Sequence, residues 1–318
     1  MTDNNFRALQ SANKGKTYFL LASMGALTWL VAYAALTYFG QGTTTAIVPI
    51  AVGIALIGVW GSYYGSDKLV VTMTGAKVIE RNDAPELFNL IEEVTLASGL
   101  PMPKVAIVED SAPNAFATGR NPEHALIAFT TRILEVMDRD ELQGVIAHEM
   151  SHVANRDTLV SAVAATTAGA IAILSDFLTR MMWFGGGRDR DRDSGGNPVA
   201  LVISLVVLIL APLAAMLLKS AISRKREALA DATAVSFTRN PAGLRKALEV
   251  LAADTTVVQQ KSNAVAHIWI ESPLDGNSVS KLFSTHPPIE ERIATLRAME
   301  SLGSQDASTN SRGGERTM

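Results

Sequence analysis

Apolar residues in this chain gather into four long runs, and between the runs the pattern shifts to the shorter periodicities of helices and strands with one wet face. Thr17–Phe39 and Ala46–Tyr64 contain no charged residue. Each is long enough to cross about 30 Å of hydrocarbon as a helix rising about 1.5 Å per residue. The connector Gly40–Thr45 is too short for anything but a tight turn between antiparallel spans. A secretory signal is the competing reading of the first run; its length and the second run that follows at once argue against it. Leu159–Phe177 and Val199–Leu218 form a second predicted hairpin. Its connector, Gly185–Asn197, alternates Arg and Asp and reads as a self-neutralising solvated loop.

Between and after the hairpins lie two polar stretches. In the first, Asp83 is placed to cap a helix carrying Leu87, Leu90, Ile91 and Val94 at helical spacing, and Gly99 to end it. Lys104–Val108, Asn114–Thr118 and Ala125–Phe129 then read as short strands divided by Pro and Gly, consistent with a small antiparallel sheet. The expected organisation is residues 1–66 with the first hairpin, 67–158 as the first half of a soluble domain, and 159–218 as the second hairpin. Residues 219–300 supply the second half, and 301–318, rich in Ser, Gly, Arg and Thr, are expected to be a disordered tail.

Orientation follows from the basic residues beside the runs. Arg7, Lys14 and Lys16 precede the first, and Lys219, Arg224, Lys225 and Arg226 follow the fourth. By the positive-inside rule both termini, and the polar stretches between an even number of spans, belong on the cytoplasmic side. Composition narrows the chemistry further. The net charge of −3 provides no general attraction to nucleic acid, and the absence of cysteine removes thiolate ligands, disulfides and a cysteine nucleophile. A metal in this chain requires His and carboxylate.

Such ligands occur in Asp138–His152, DRDELQGVIAHEMSH. Asp138 and Glu141 form a capping box at the start of a helix. His148 and His152 then fall one turn apart on one face, the spacing that lets two imidazoles converge on Zn²⁺, with Glu149 beside the open coordination position. A catalytic zinc needs a third protein ligand. The second helix, Ser223–Phe237, puts Glu227 and Asp231 one turn apart; Glu227 suits that ligand, and Asp231 suits accepting the remaining N–H of a ligating histidine. A solvated face with Arg224 or Lys225 as ion-pair partner is the plainer alternative for the Glu227/Asp231 pair.

With HEMSH at His148–His152, SRKREALAD at Ser223–Asp231, NAFATG at Asn114–Gly119 and THPP at Thr285–Pro288, the chain resembles the HtpX-type bacterial membrane zinc endopeptidases, relatives of the CAAX prenyl-proteases among the gluzincins. The resemblance runs from the first span to about Met299. It implies a fold that is mainly α with a small antiparallel β-sheet, four transmembrane helices and a cytoplasmic zincin-like domain. It implies one Zn²⁺ per chain on His148, His152 and Glu227, with Glu149 as general base. It also implies cleavage of misfolded or damaged membrane proteins at the inner membrane during stress. His286 in THPP is a candidate second donor to the oxyanion, with anchoring of the following helix an equal alternative. Asn114, Ala115 and Phe116 are candidates for an edge strand that pairs with substrate. Other expected partners are the lipid bilayer and unfolded polypeptide. Three rival readings remain: a site-2-type intramembrane protease using Asp275, a four-span transporter subunit, and a zinc-bound scaffold without activity.

Overall fold

The computed structural model describes residues 44–159, 226–256, 258, 269–270 and 288–313, together with scattered positions between 18 and 37. The chain divides into two compact units, Met1–Val70 with Leu159–Ala221, and Val71–Thr158 with Ile222–Met318.

In the first unit the main described element is helix α1, Thr44–Thr74, which runs on into the second unit and contains Pro49. The expected span Ala46–Tyr64 lies inside it. Ile50, Ile54, Leu56, Ile57 and Trp60 are exposed along this helix. Among the described residues no helix is both long and apolar enough to cross a membrane. The expected second hairpin, Leu159–Phe177 and Val199–Leu218, and its Arg-Asp loop lie outside the described residues apart from Leu159, as does much of the first span.

The second unit is built from helices around a small sheet. Strand β1 (Lys77–Ile79) precedes helix α2 (Pro85–Ser98), then come β2 (Lys104–Val108), β3 (Ala115–Thr118) and β4 (Leu126–Thr130). The helices α3 (Thr131–Val136) and α4 (Arg139–Ala154) follow, then α5 over residues 226–238, α6 (Pro241–Ala253) and α7 (Ile289–Gly313). Two expectations about local signals divide here. Gly99 ends α2 with φ +70°, its N–H donating to the Thr95 carbonyl, a conformation open to glycine at little cost. Asp83 does not cap the helix. Its carboxylate instead accepts from the Glu80 N–H at 2.8 Å and closes the preceding turn, while Pro85 begins the helix without a side-chain cap.

The sheet is mixed rather than antiparallel. Its order is β1-β2-β4-β3, with β2 and β4 parallel and the other two pairs antiparallel. The chain leaves β2, passes to the outer edge as β3, and returns through the hairpin Pro122–His124 to insert β4 between them. Every residue of β3 and β4 is buried, so these strands lack the alternating pattern of a half-wet sheet. Against them sits α4, buried from Gly144 to Ser151. Its other side meets α6, which in turn packs on α7. One core joins Ile91, Phe129, Ile146, Met150, Leu248 and Leu296. Within 301–318, where disorder is expected from composition, α7 continues to Gly313.

Candidate metal centre

Helix α4 opens with the expected capping box: the Glu141 N–H donates to Asp138, and the Asp138 N–H donates to the Glu141 carboxylate, both at 2.9 Å. Asp140 and Glu141 in the first turn also complement the positive end of the helix dipole. Gly144 lets the middle of α4 lie directly on α6. A Cβ there would stand 2.5 Å from Leu244 N and 2.7 Å from Leu244 Cα. The next turn carries His148 and Glu149, both buried, and the turn after it His152, whose side chain retains 17% exposure.

Across from this face, α5 presents Glu227 and Asp231 alongside Ala230 and Ala234, all buried. The helix stops at Arg239, a non-glycine residue in the left-handed region with φ 55°. Three ligand atoms converge. His148 Nε2 and His152 Nε2 are 3.2 Å apart. Glu227 Oε2 is 3.4 Å from His148 Nε2, and Glu227 Oε1 is 3.6 Å from His152 Nε2. A tetrahedral ion with bonds of about 2.0–2.1 Å places its ligands about 3.3–3.4 Å apart. The measured separations bracket that value, and two imidazoles with one carboxylate match the nitrogen and oxygen preference of zinc. This group could hold a metal ion.

The surroundings fix the rings. Asp231 Oδ1 lies 2.9 Å from His148 Nδ1, which leaves Nε2 directed at Glu227 and His152. Asp231 is itself gripped by Arg292 of α7, whose Nε donates to Oδ2 at 2.9 Å and Nη2 to Oδ1 at 2.7 Å. The same guanidinium reaches 3.6 Å from Glu227 Oε2. Behind His152, Asp157 Oδ2 is 3.4 Å from Nδ1, and Arg226 Nη1 is 3.3 Å from Asp157 Oδ1. Three carboxylates, Glu227, Asp231 and Asp157, thus alternate with two guanidinium groups around the paired imidazoles.

Electrostatics without a metal follow from this enclosure. Burial and the Arg292 charge push the His148 imidazole down, but hydrogen bonds to Asp231 and Glu227 and the Asp231 charge outweigh them and raise it to about 9. Burial pushes the Asp231 carboxyl up, yet the Arg292 charge and the bonds from His148 and Arg292 hold it far below the usual carboxylate range. Arg292 resists deprotonation: the loss of solvent is outweighed by Asp231 first, then Glu227 and Glu149.

Of the residues picked out in the sequence, His148, His152, Glu227 and Asp231 come together, and Glu149 is buried on α4 between the two histidines. Arg292 meets the Glu227/Asp231 face; Arg224 and Lys225 lie outside the described residues. Arg292, Asp157 and Arg226 were not legible as site residues, because each sits in a charged stretch that reads as a solvated face. His286, His267 and Asp275 also lie outside the described residues. His124 sits apart in its hairpin, bonded to Asn121 and Arg120. Asn114 leads into β3, exchanging hydrogen bonds with Thr130. Ala115 and Phe116 open that strand, which is an outer edge of the sheet. One position on this edge is taken: the Ile270 N–H donates to the Ala115 carbonyl at 2.9 Å, and Trp269 packs edge-on against Phe116.

The sequence model of peptidase family M48 matches residues 81–300, a stretch that includes every residue of this cluster. The chain belongs to peptidase family M48. It is a metallopeptidase of that family. Among M48 relatives, a "Protease HtpX homolog" of Thermoanaerobacter pseudethanolicus is 43% identical over 94% of this chain and 99% of its own length. Proteins of the same description from Streptococcus gordonii and Syntrophobacter fumaroxidans are 45% and 49% identical, over 91% and 79% of this chain and 98% and 89% of their own. Among solved structures, S. mikatae Ste24p aligns with 91% of this chain and 67% of its own at 19% identity and a TM-score of 0.48.

Proposed function

We propose that this M48 peptidase is a membrane-embedded zinc endopeptidase that cuts misfolded or damaged membrane proteins at the cytoplasmic face of the inner membrane. His148, His152 and Glu227 are the ligands of one zinc. The observation that carries the reading is the convergence of these three side chains at separations suited to a tetrahedral ion.

When bound, zinc supplies a Lewis acid and an acidified water. The chain's own residues do the rest. His148 presents Nε2 because its Nδ1–H donates a hydrogen bond to the Asp231 carboxylate, and Arg292 keeps that carboxylate ionised and fixed. Glu149, held in the buried turn between the histidines, accepts the proton of the attacking water and returns it to the leaving amine. His286 is the proposed second donor to the oxyanion. Substrate backbone pairs along β3, with Asn114, Ala115 and Phe116 at its start; since Ile270 already occupies the Ala115 carbonyl, pairing proceeds from Ala117 onward or after that contact is released.

Four transmembrane helices, with both termini cytoplasmic, complete the proposal. The four apolar runs, of which Leu159–Phe177 alone carries a charged residue, Asp176, the apolar side chains exposed on α1, and the flanking Lys and Arg support it. The test is purification in detergent with a chelator, then zinc readdition, comparing wild type with Glu149→Gln. Zinc-dependent cleavage of an unfolded protein by wild type alone is expected. Proteolysis that ignores the chelator, or persists in Glu149→Gln, contradicts the reading.

A further inference from the structure

We infer that Asp157 and Arg226 form a positioning clip that sets His152 and Glu227 jointly for metal binding. The inference rests on the zinc-site reading and adds two residues to it. The two histidines are held in matching ways: His148 Nδ1 faces Asp231, which is gripped by Arg292, and His152 Nδ1 faces Asp157, which is gripped by Arg226. The second set differs in what it joins. Asp157 stands just past the C-terminal end of α4, while Arg226 immediately precedes Glu227 in the chain. Arg226 Nη1 approaches both the Asp157 carboxylate, at 3.3 Å, and its carbonyl, at 3.5 Å. The contact thus fastens the start of α5 to the end of the helix bearing both histidines.

The backbone indicates that this placement is specified rather than incidental. Helix α4 is capped at Asn155, and Arg156 then adopts φ 58°, a conformation a non-glycine residue takes only where its surroundings hold it there. That single left-handed residue turns the chain so that Asp157 is buried beside His152 instead of projecting onward. Its neighbour Thr158 is tied down too, donating to the Gly119 carbonyl at 2.8 Å. With only 4% and 12% of their side chains exposed, Asp157 and Arg226 are shielded from the solvent that weakens surface ion pairs.

A clip of this kind acts through the ligands, so its removal loosens the metal before it affects substrate. In full-length protein in detergent, zinc affinity is measured by competition with a chromophoric chelator for wild type, Asp157→Ala, Arg226→Gln, Arg226→Lys and the double variant Asp157→Ala/Arg226→Gln. Changes to groups that orient metal ligands typically cost about 10–100-fold in affinity. Losses of that order are expected for both single variants, with partial recovery in Arg226→Lys and no further loss in the double variant, since the two act as one unit. With zinc saturating, kcat falls and KM is little changed. Thermal melts of the metal-free proteins identify any variant that does not fold, in which case Asp157→Asn and Arg226→Lys carry the comparison. Zinc affinities within about twofold of wild type in folded variants, or losses in the two single variants that multiply in the double, overturn the inference. A wild type that binds no zinc overturns the reading of the site itself.

Discussion

Replacing Gly144 with alanine pits two effects of opposite sign against each other. Inside a helix, alanine is favoured over glycine by roughly 0.5–1 kcal/mol because glycine loses more backbone freedom on folding. At Gly144 the new methyl would stand 2.5 Å from Leu244 N, 2.7 Å from Leu244 Cα and 2.9 Å from Gly243 C. All three are backbone atoms, so no rotamer change relieves the overlap. Helix α6 would have to retreat by about 1 Å, and overpacking of this kind typically costs about 1–3 kcal/mol. The retreat also opens gaps around Leu244, Ala247 and Leu248, which are almost wholly buried. The crossing term wins, leaving a net loss of about 1–2 kcal/mol. For a domain of this size that lowers the melting midpoint by about 2–8 °C. The assay is thermal unfolding of full-length protein in detergent at one scan rate. Gly61→Ala serves as control, because among the described residues nothing lies within 4 Å of a methyl there. His148 lies one turn beyond Gly144 on the same helical face, so zinc affinity should fall as well. A midpoint for Gly144→Ala at or above wild type would falsify the argument that this glycine exists to permit a close helix crossing.

Other outcomes follow from the same geometry. Asp231→Asn leaves the site's shape intact but removes the charge that fixes the His148 tautomer; zinc affinity should drop about 10–100-fold, and an unchanged affinity would contradict the role given to that carboxylate. Arg292→Gln should weaken zinc less than Asp231→Asn while lowering the melting midpoint of the metal-free form, because it strands a buried ionised carboxylate. For the metal-free protein, the His148 imidazole is raised from 6.5 to about 9 in the folded state. That contribution to stability is complete below about pH 6.5 and lost as pH rises through about 9. Melting midpoints with chelator should therefore fall over this range, whereas zinc-loaded protein should not show that decline; parallel pH profiles would count against the assignment. At Gly119, where φ is +131° and a Cβ would collide with the His124 carbonyl and Ala125, alanine should destabilise the β3–β4 hairpin by more than about 1 kcal/mol, read as a lower midpoint.

What the sequence disclosed and what it hid have physical explanations. The HEMSH helix was legible because its cap, its spacing and its ligands are all local: Asp138 to Glu141, then His148 to His152. Glu227 and Asp231 were legible as a pair for the same reason, being one turn apart on one helix. Arg292, which grips Asp231, lies 61 residues beyond it in a run, Glu290-Glu291-Arg292, that has the composition of a wet helix surface. Asp157 was hidden because its position depends on the left-handed turn at Arg156, which no residue type announces. The antiparallel expectation failed for one strand pair. Three short strands in succession are consistent with an antiparallel sheet, whereas β4 inserts between β2 and β3 and runs parallel to β2, with every residue of β3 and β4 buried. Asp83 had the right chemistry for a helix cap but stands one residue too early, where Ala84 and Pro85 take the helix start.

Zinc content of the purified protein, determined by elemental analysis after loading and removal of free metal, probes the central claim most directly when wild type is compared with Glu227→Ala. The geometry predicts one zinc per wild-type chain and almost none in the variant, since two imidazoles alone leave a weakly held ion. Full zinc occupancy in folded Glu227→Ala would show that this carboxylate is not a ligand and that the metal sits elsewhere.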